Sequence, residues 1–260
     1  MLKNCCQIIT NKALIMILVR VRNMIATQFF NTNIEVSNIE YNKFPKDMAI
    51  FNLHKFVVEM TYDCCSVFTK TFPSYICVKL LIDNKIVNSD FATYNDCMFF
   101  YNYANCLRKI HYSLRNDIDL VPNKFEPTLQ WLREINKDIN GPIDILNTYS
   151  QATQNFSDEF LSEFYSINVK PFLVYKDPII GSLIIYLILI KNKLFVDNNE
   201  PTAFLFLSAL LAKNSIPPFT IPRELGSKYY ELMYDFLYTN EADKIILFLL
   251  DRITKVDDCY

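Results

Sequence analysis

Two almost entirely apolar segments, separated by a short polar loop, constrain the fold of this chain most strongly. Residues 178–190 read PIIGSLIIYLILI, and residues 202–213 read TAFLFLSALLAK. A helix that is apolar on every side has to be enclosed by other helices or by lipid. The first run of 13 residues would extend about 20 Å as a helix, which is shorter than a hydrocarbon core of about 30 Å. We therefore expect two buried core helices.

The composition excludes several classes of nucleotide-binding site. Only 3 glycines occur among the 260 residues, at positions 141, 181 and 226. Glycine-rich phosphate loops need several positions without a Cβ, so the P-loop, Rossmann and kinase motifs are excluded. The formal net charge of −2 provides no basic field, so we expect no nucleic-acid partner. The only two histidines, His54 and His111, leave few members for a zinc site or a catalytic triad.

The 8 cysteines are typical of reduced, buried thiols rather than of disulfides or metal ligands. The sequence has no CxxC motif, and the adjacent pairs Cys5-Cys6 and Cys64-Cys65 are poorly placed for bridging. The apolar stretch Ala13–Val19 is too short to span a bilayer, and no clear cleavage site follows it. An ordinary helix and a secretory signal or anchor both account for that stretch. We expect a cytoplasmic protein, in its source or host cell, without membrane contact.

Hydrophobic spacing divides the chain into a mixed N-terminal region and a helical remainder. Residues 47–88 are rich in β-branched and aromatic residues with turn signals between them, which favours mixed α/β structure. Apolar residues recur at helical spacing over 92–116 and in most of the chain after residue 126. The later predicted helices are 126–140, 158–166, 178–191, 202–213, 223–238 and 241–253. We expect a small mixed α/β region over 1–125, of unknown role, and a helical domain over 126–260.

Two polar segments interrupt the helical part of the chain. The loop KLFVDNNEP at 193–201 lies between the two apolar helices. Polar groups between buried helices need hydrogen-bond partners or a ligand, so this loop is the candidate functional site. The segment 140–157 is turn-rich and predicts an exposed loop that begins where Gly141 ends the preceding helix.

The order of these features resembles the Fic domain family, also called Fido. In that family a buried helix leads into the motif HPFx(D/E)GNGRxxR, which begins a second buried helix, and a Pro-Pro turn and a Tyr-Tyr-containing helix follow. Residues 193–204 here read KLFVDNNEPTAF, and Pro217-Pro218 and Tyr229-Tyr230 follow in the same order. The resemblance covers about residues 126–253 and implies a mainly α fold with a Fic-like helical core. The positions that match the motif are Phe195, Asp197 and Asn199.

The resemblance implies roles for four residues of the loop. Lys193 stands where Fic enzymes have the histidine that takes a proton from the target hydroxyl, so it is the candidate catalytic residue. A lysine is a poor base at neutral pH because its ordinary pKa is about 10.4. Asp197 stands at the magnesium-ligand position, although a lone loop aspartate also serves as a helix cap or a solvated residue. Asn198 and Asn199 are the candidate cofactor-binding residues, with ATP and Mg²⁺ as the implied cofactors of an active loop.

Other substitutions replace the groups that bind phosphate in Fic enzymes. The two motif glycines are Asn198 and Glu200 here, and Glu200 brings a carboxylate to a position that receives an anion in that family. Pro201 replaces the first motif arginine and has no N–H to donate, and Phe204 replaces the second. The same residues suit an ordinary helix start, because proline fits the first turn and a carboxylate there stabilises the helix dipole by roughly 0.3–1 kcal/mol.

The sequence leaves three functional hypotheses. The first is a degenerate Fic-fold protein that lacks AMP transfer, needs no cofactor and binds another protein through the 140–157 loop, which corresponds to the target-docking flap of the family. The second is a divergent Fic-type transferase of AMP or another phosphate-linked group onto a protein hydroxyl. In that case Asp197, Asn199 and Lys193 would carry metal binding, donor orientation and phosphate contact. The third is an all-helical structural or assembly protein.

Overall fold

The computed structural model describes residues 46–84, 91, 93–115, 125–141 and 155–254. Within these ranges the chain is predominantly helical and contains no β-strand. The mainly helical fold expected from the sequence is therefore confirmed. The helices are α1 (Lys46–Lys55), α2 (Val57–Thr69), α3 (Tyr75–Asn84), α4 (Tyr94–Leu114), α5 (Leu129–Asn140), α6 (Asp158–Phe164), a π-helical turn (Tyr165–Val169), α7 (Lys170–Leu173), α8 (Pro178–Asn192), α9 (Asn199–Lys213), a 3₁₀ turn (Arg223–Leu225), α10 (Gly226–Thr239) and α11 (Asp243–Thr254).

The two apolar segments form α8 and α9 at the centre of the structure. Asp177 begins α8 by accepting hydrogen bonds from the N–H groups of Ile179 and Ile180, at 2.9 and 3.0 Å. Every residue from 179 to 190 in α8 and from 201 to 212 in α9 is buried. Helix α9 packs against α8 and is also contacted by α1, α2, α4 and α5. The prediction of two enclosed core helices is confirmed.

The prediction of strands within residues 47–88 is wrong for the described part of that region. Residues 46–84 form the helices α1, α2 and α3, with short connections between them. In α2, the apolar and small residues recur at helical spacing and face the core, including Val57, Met60 and Cys64. Burial of this stripe against α4 overrides the weak strand preference of β-branched and aromatic residues. The helix predicted over 92–116 is confirmed as α4.

Helix α5 is bounded by the signals that its sequence contains. The hydroxyl of Thr128 accepts a hydrogen bond from the N–H of Trp131 at 3.3 Å and caps the N-terminus. Gly141 follows the last turn with φ = 75°, a conformation that a residue with a Cβ rarely adopts. A Cβ at this position would also lie 2.8 Å from Nδ2 of Asn102. This end of α5 therefore requires glycine.

One hydrophobic core joins the helices on both sides of residue 125. The ring of Phe125 lies 5.3 Å from that of Trp131 and 5.9 Å from that of Phe206, measured between centroids. On α2, Phe68 contacts Phe204 of α9 at 5.7 Å. The division of the chain into regions 1–125 and 126–260 stays a prediction.

The cysteines within the described ranges are free and buried, in agreement with the sequence. None of the described helices is long and apolar enough to cross a membrane. The apolar stretch 13–19 and most of the loop predicted over 140–157 lie outside the described residues.

Candidate functional site

The candidate loop between α8 and α9 is built on two residues in the left-handed backbone region. Lys193 follows α8 with φ = 44° and ψ = 62°, and its N–H donates to the carbonyl of Leu189 at 3.2 Å. Asn198 precedes α9 with φ = 55° and ψ = 32°. Asparagine tolerates this region better than most residues that carry a Cβ. Asn198 therefore keeps a left-handed turn at a position where the Fic motif has glycine.

The side-chain amide of Asn199 closes the loop. Its Oδ1 accepts a hydrogen bond from the N–H of Phe195 at 2.8 Å, and its Nδ2 donates to the carbonyl oxygen of Phe195 at 2.7 Å. Phe195 is buried beneath the loop, together with Leu194. Both ends of the candidate cofactor-binding amide of Asn199 are thus engaged within the loop itself.

Asn155 fixes the same loop from outside, although the sequence did not single it out. Its N–H donates to the carbonyl of Leu194 at 2.9 Å, and its Nδ2 donates to the carbonyls of Lys193 and Phe195, both at 2.7 Å. The sequence signal for such a contact is weak, because Asn155 lies in a polar segment with several similar residues.

Two asparagines of α5 hold the other side of the loop. Nδ2 of Asn136 donates to the carbonyl of Asp197 at 2.9 Å and to the hydroxyl of Thr202 at 3.0 Å. Nδ2 of Asn198 donates to Oδ1 of Asn140 at 2.7 Å. Asn136 is buried, and it follows Ile135 on the apolar face of the predicted helix 126–140. A polar residue on a buried face was the available signal for this contact.

Glu200 directs its carboxyl group into the protein. Its Oε1 accepts a hydrogen bond from the hydroxyl of Tyr229, which lies 2.6 Å from the hydroxyl of Tyr186. Burial raises the pKa of the Glu200 carboxyl, while the hydrogen bond from Tyr229 and the positive charge of Lys70 lower it in part. Tyr186 and Tyr229 are fully buried. The carboxyl group is therefore held in a chain of hydrogen bonds that links α9 to α10 and α8.

Phe204 lies in an aromatic cluster of the core. Its ring centroid is 5.3 Å from that of Phe219 and 5.9 Å from that of Tyr186, and the side chain is fully buried. Pro201 is also buried, in the first turn of α9. The two positions that correspond to the motif arginines thus carry apolar side chains within the core and no cation.

Lys193 and Asp197 are the candidate catalytic and metal-binding residues, and both are exposed on the loop. Within the described ranges, no group of three or more histidine, cysteine or acidic side chains could hold a metal ion. Asp197 is accordingly a single candidate carboxylate, whereas Mg²⁺ is commonly bound through one or two carboxylates together with substrate phosphates and water.

Comparison with solved structures identifies the fold. Fic-1 from C. elegans, residues 134–508, is 15% identical to this chain with a TM-score of 0.64, over 96% of this chain and 73% of that one, and so is a variant of the same protein with one substitution. A Fic domain containing signaling protein from Bacteroides thetaiotaomicron is 15% identical with a TM-score of 0.54, over 91% of this chain and 94% of that one. No protein-family model and no curated protein sequence matches. At this identity the likeness shows the fold, which is Fic-like as the loop motif predicted.

Proposed function

We propose that this chain is a Fic-fold protein that lacks AMP transfer and acts by binding another protein. The observation that carries this proposal is the position of Glu200. Glu200 lies in the first turn of α9, where the N-terminal N–H groups of a helix otherwise attract phosphate. At this position the Fic motif has a glycine without a side chain, whereas here an acidic side chain is present and its carboxyl group is turned into the protein. The hydrogen bond from Tyr229 holds the carboxyl group in place.

The other substitutions in the loop act in the same direction. Pro201 donates no N–H to a phosphate, and Phe204 offers a buried ring where the motif has a guanidinium group. The amide of Asn199 is engaged by Phe195. These contacts favour a loop whose polar groups stabilise the fold and do not bind a nucleotide.

The described residues that flank positions 142–154 are bonded to the candidate loop, which supports a role of this region beside the loop. The residues on either side of it, Gly141 and Asn155, lie close to the candidate loop: Asn140 accepts from Asn198, and Asn155 donates to three consecutive residues of the loop. We propose that the 140–157 region presents the surface for a protein partner.

The test is calorimetric titration of ATP, with and without Mg²⁺, into the wild-type protein and Asp197→Ala. We expect no binding at ligand concentrations near 1 mM and no added AMP by intact-mass spectrometry. Magnesium-dependent binding that is lost in Asp197→Ala, or AMP transfer that this substitution abolishes, would contradict the proposal.

The exposure of Lys193 and Asp197 favours one second candidate function. In a divergent transferase these side chains would reach a phosphate-linked donor other than ATP, with Asn199 orienting the donor. A screen of nucleotide-linked donors by intact mass, repeated with Asp197→Ala, separates this candidate from the first. Mass added in the wild type alone would establish the transferase.

A further inference from the structure

An exposed aromatic and acidic surface lies beside the candidate loop, on α6 and the residues before it. We define this aromatic–acidic surface by Phe156, Asp158, Glu159, Phe160 and Glu163. The rings of Phe156 and Phe160 stack with centroids 4.6 Å apart, and the two residues are 38% and 44% exposed. The buried ring of Phe164 stacks on Phe160 at 6.2 Å, which fixes the pair from below. The two stacked rings form an exposed apolar patch on which a side chain of a partner can pack.

The charged side chains on α6 beside the two rings are acidic, and one of them, Asp158, is paired with Arg133 of α5 at 2.6 Å. The sequence from Asp138 to Val169 contains no lysine or arginine. Glu159 and Glu163 are exposed and form no ion pair with any residue in the described ranges. A negative surface of this kind repels nucleic acid and anionic lipid and attracts basic protein segments.

The position of the surface connects it to the candidate loop. Asn155, the residue immediately before Phe156, donates hydrogen bonds to the loop carbonyls at 193 to 195. On that loop, Lys193, Val196 and Asp197 are exposed. The loop therefore presents an apolar, an acidic and a basic side chain beside the aromatic–acidic surface.

We propose that the aromatic–acidic surface binds a basic segment of a protein partner. An aliphatic or aromatic side chain of the partner packs on Phe156 and Phe160, while its lysine or arginine side chains pair with Glu159 and Glu163. An arginine can also stack over an exposed ring. This inference rests on the proposed protein-binding function and specifies the chemistry of the partner.

Three fluorescein-labelled 12-residue peptides test the proposal by anisotropy with the full chain. The first combines lysine and arginine with leucine, the second replaces its cations with glutamate, and the third keeps the cations and replaces leucine with serine. We expect only the first to bind in the micromolar range, and its affinity to fall at least about tenfold in Phe160→Ala and in Glu159→Lys/Glu163→Lys. Raising the salt concentration should weaken this binding because the charge pairs are exposed.

Two control variants make the same kinds of substitution on a different helix, α10. Tyr238→Ala removes another exposed aromatic ring and Glu231→Lys reverses another exposed charge, so both should bind the first peptide as the wild type does. Equal loss in these controls, equal binding of the acidic peptide, or no binding of the first peptide at 1 mM would overturn the proposal. A dimer in sedimentation equilibrium that Phe160→Ala abolishes would also overturn it, because a second copy would then cover the surface.

The nucleotide titration separates the two proposals. If the basic peptide fails to bind and ATP also fails to bind, the partner chemistry is wrong and the proposed function stands. If AMP transfer is found, the proposed function is wrong whatever the peptides show.

Discussion

Asp63 on α2 is a largely buried carboxyl group in acidic surroundings. Its pKa is raised from 3.8 to about 6, chiefly by burial; a hydrogen bond donated by Thr220 opposes this shift, and the negative charges of Glu224 and Glu59 add to it. Tyr75 of α3 also faces this group, and Cys64 adjoins it on α2. The folded protein therefore binds this proton more tightly than the unfolded chain does. The resulting stabilisation is complete below pH 3.8 and is lost as the pH rises through about 6.

Asp63→Asn should remove this pH dependence. The amide can still accept a hydrogen bond from Thr220 and carries no charge, so we expect the free energy of unfolding at pH 7 to rise by about 1–3 kcal/mol. Urea denaturation between pH 4 and pH 8 measures the effect, as the difference between wild type and variant at each pH. Glu241→Gln, at an exposed carboxyl group, is the control and should leave the profile unchanged. A difference between Asp63→Asn and wild type that is constant over this range would contradict the assignment.

At the scale of secondary-structure elements, much of the fold could be predicted from the sequence. The helices α8 and α9 follow from runs of apolar residues, and α4, α5, α10 and α11 follow from helical spacing. In α5, Gly141 marks the C-terminal end as predicted, whereas the helix begins at Leu129 and not at residue 126. These features are local, because capping and amphipathic spacing act within a few residues along the chain.

The remaining features depend on contacts that are distant in the sequence. Residues 57–69 have the composition of strands but form α2, because α4 buries their apolar stripe. The candidate loop could be located from its motif. Its hydrogen bonds to Asn136 and Asn155 could not, since each joins residues about 40 to 60 positions apart. The hydrogen bond between Tyr229 and Glu200 could not be predicted either, because nothing near Glu200 in the sequence indicates a buried hydroxyl donor.

That pairing fixes the first turn of α9 against α10, and Tyr229→Phe tests it. The hydrogen bond favours the ionised form of Glu200. Its loss therefore raises the pKa of the Glu200 carboxyl in the folded protein further. A carboxyl group whose pKa is higher in the folded than in the unfolded state makes the protein less stable as the pH rises. We therefore expect Tyr229→Phe to lower the free energy of unfolding by about 1–3 kcal/mol, and by more at pH 8 than at pH 5.

A double-mutant cycle distinguishes this effect from the loss of packing. In a Glu200→Gln background there is no charge to stabilise, so the extra loss at pH 8 should vanish. Tyr165→Phe is the matched control, because the buried hydroxyl of Tyr165 donates to a backbone carbonyl, that of Pro127, and burial alone raises its pKa. Its cost should be the same at both pH values. An equal pH dependence for Tyr229→Phe in both backgrounds would show that Glu200 is not the group involved.

At the scale of the whole molecule, the helices before residue 125 complete the core around α9. Phe204 and Phe206 of α9 contact Phe68 and Phe125, and α1, α2 and α4 all pack on the same helix. Fully burying one large apolar side chain contributes about 1.5–3 kcal/mol, so exposing even four of them costs about 6–12 kcal/mol. That cost is comparable with the total stability of a typical protein, about 5–15 kcal/mol.

We therefore expect the full chain to unfold in a single cooperative transition and the fragment 126–260 to lack a folded core. Trp131, the sole tryptophan, is buried on α5 and reports tertiary structure by fluorescence, while circular dichroism reports the helices. In the full chain the two signals should change at the same urea concentration. In the fragment, the emission of Trp131 should already match that of the unfolded chain without denaturant. A fragment that unfolds cooperatively, with a second transition in the full chain, would instead establish 1–125 and 126–260 as separate domains, because each would then bury a sufficient core by itself.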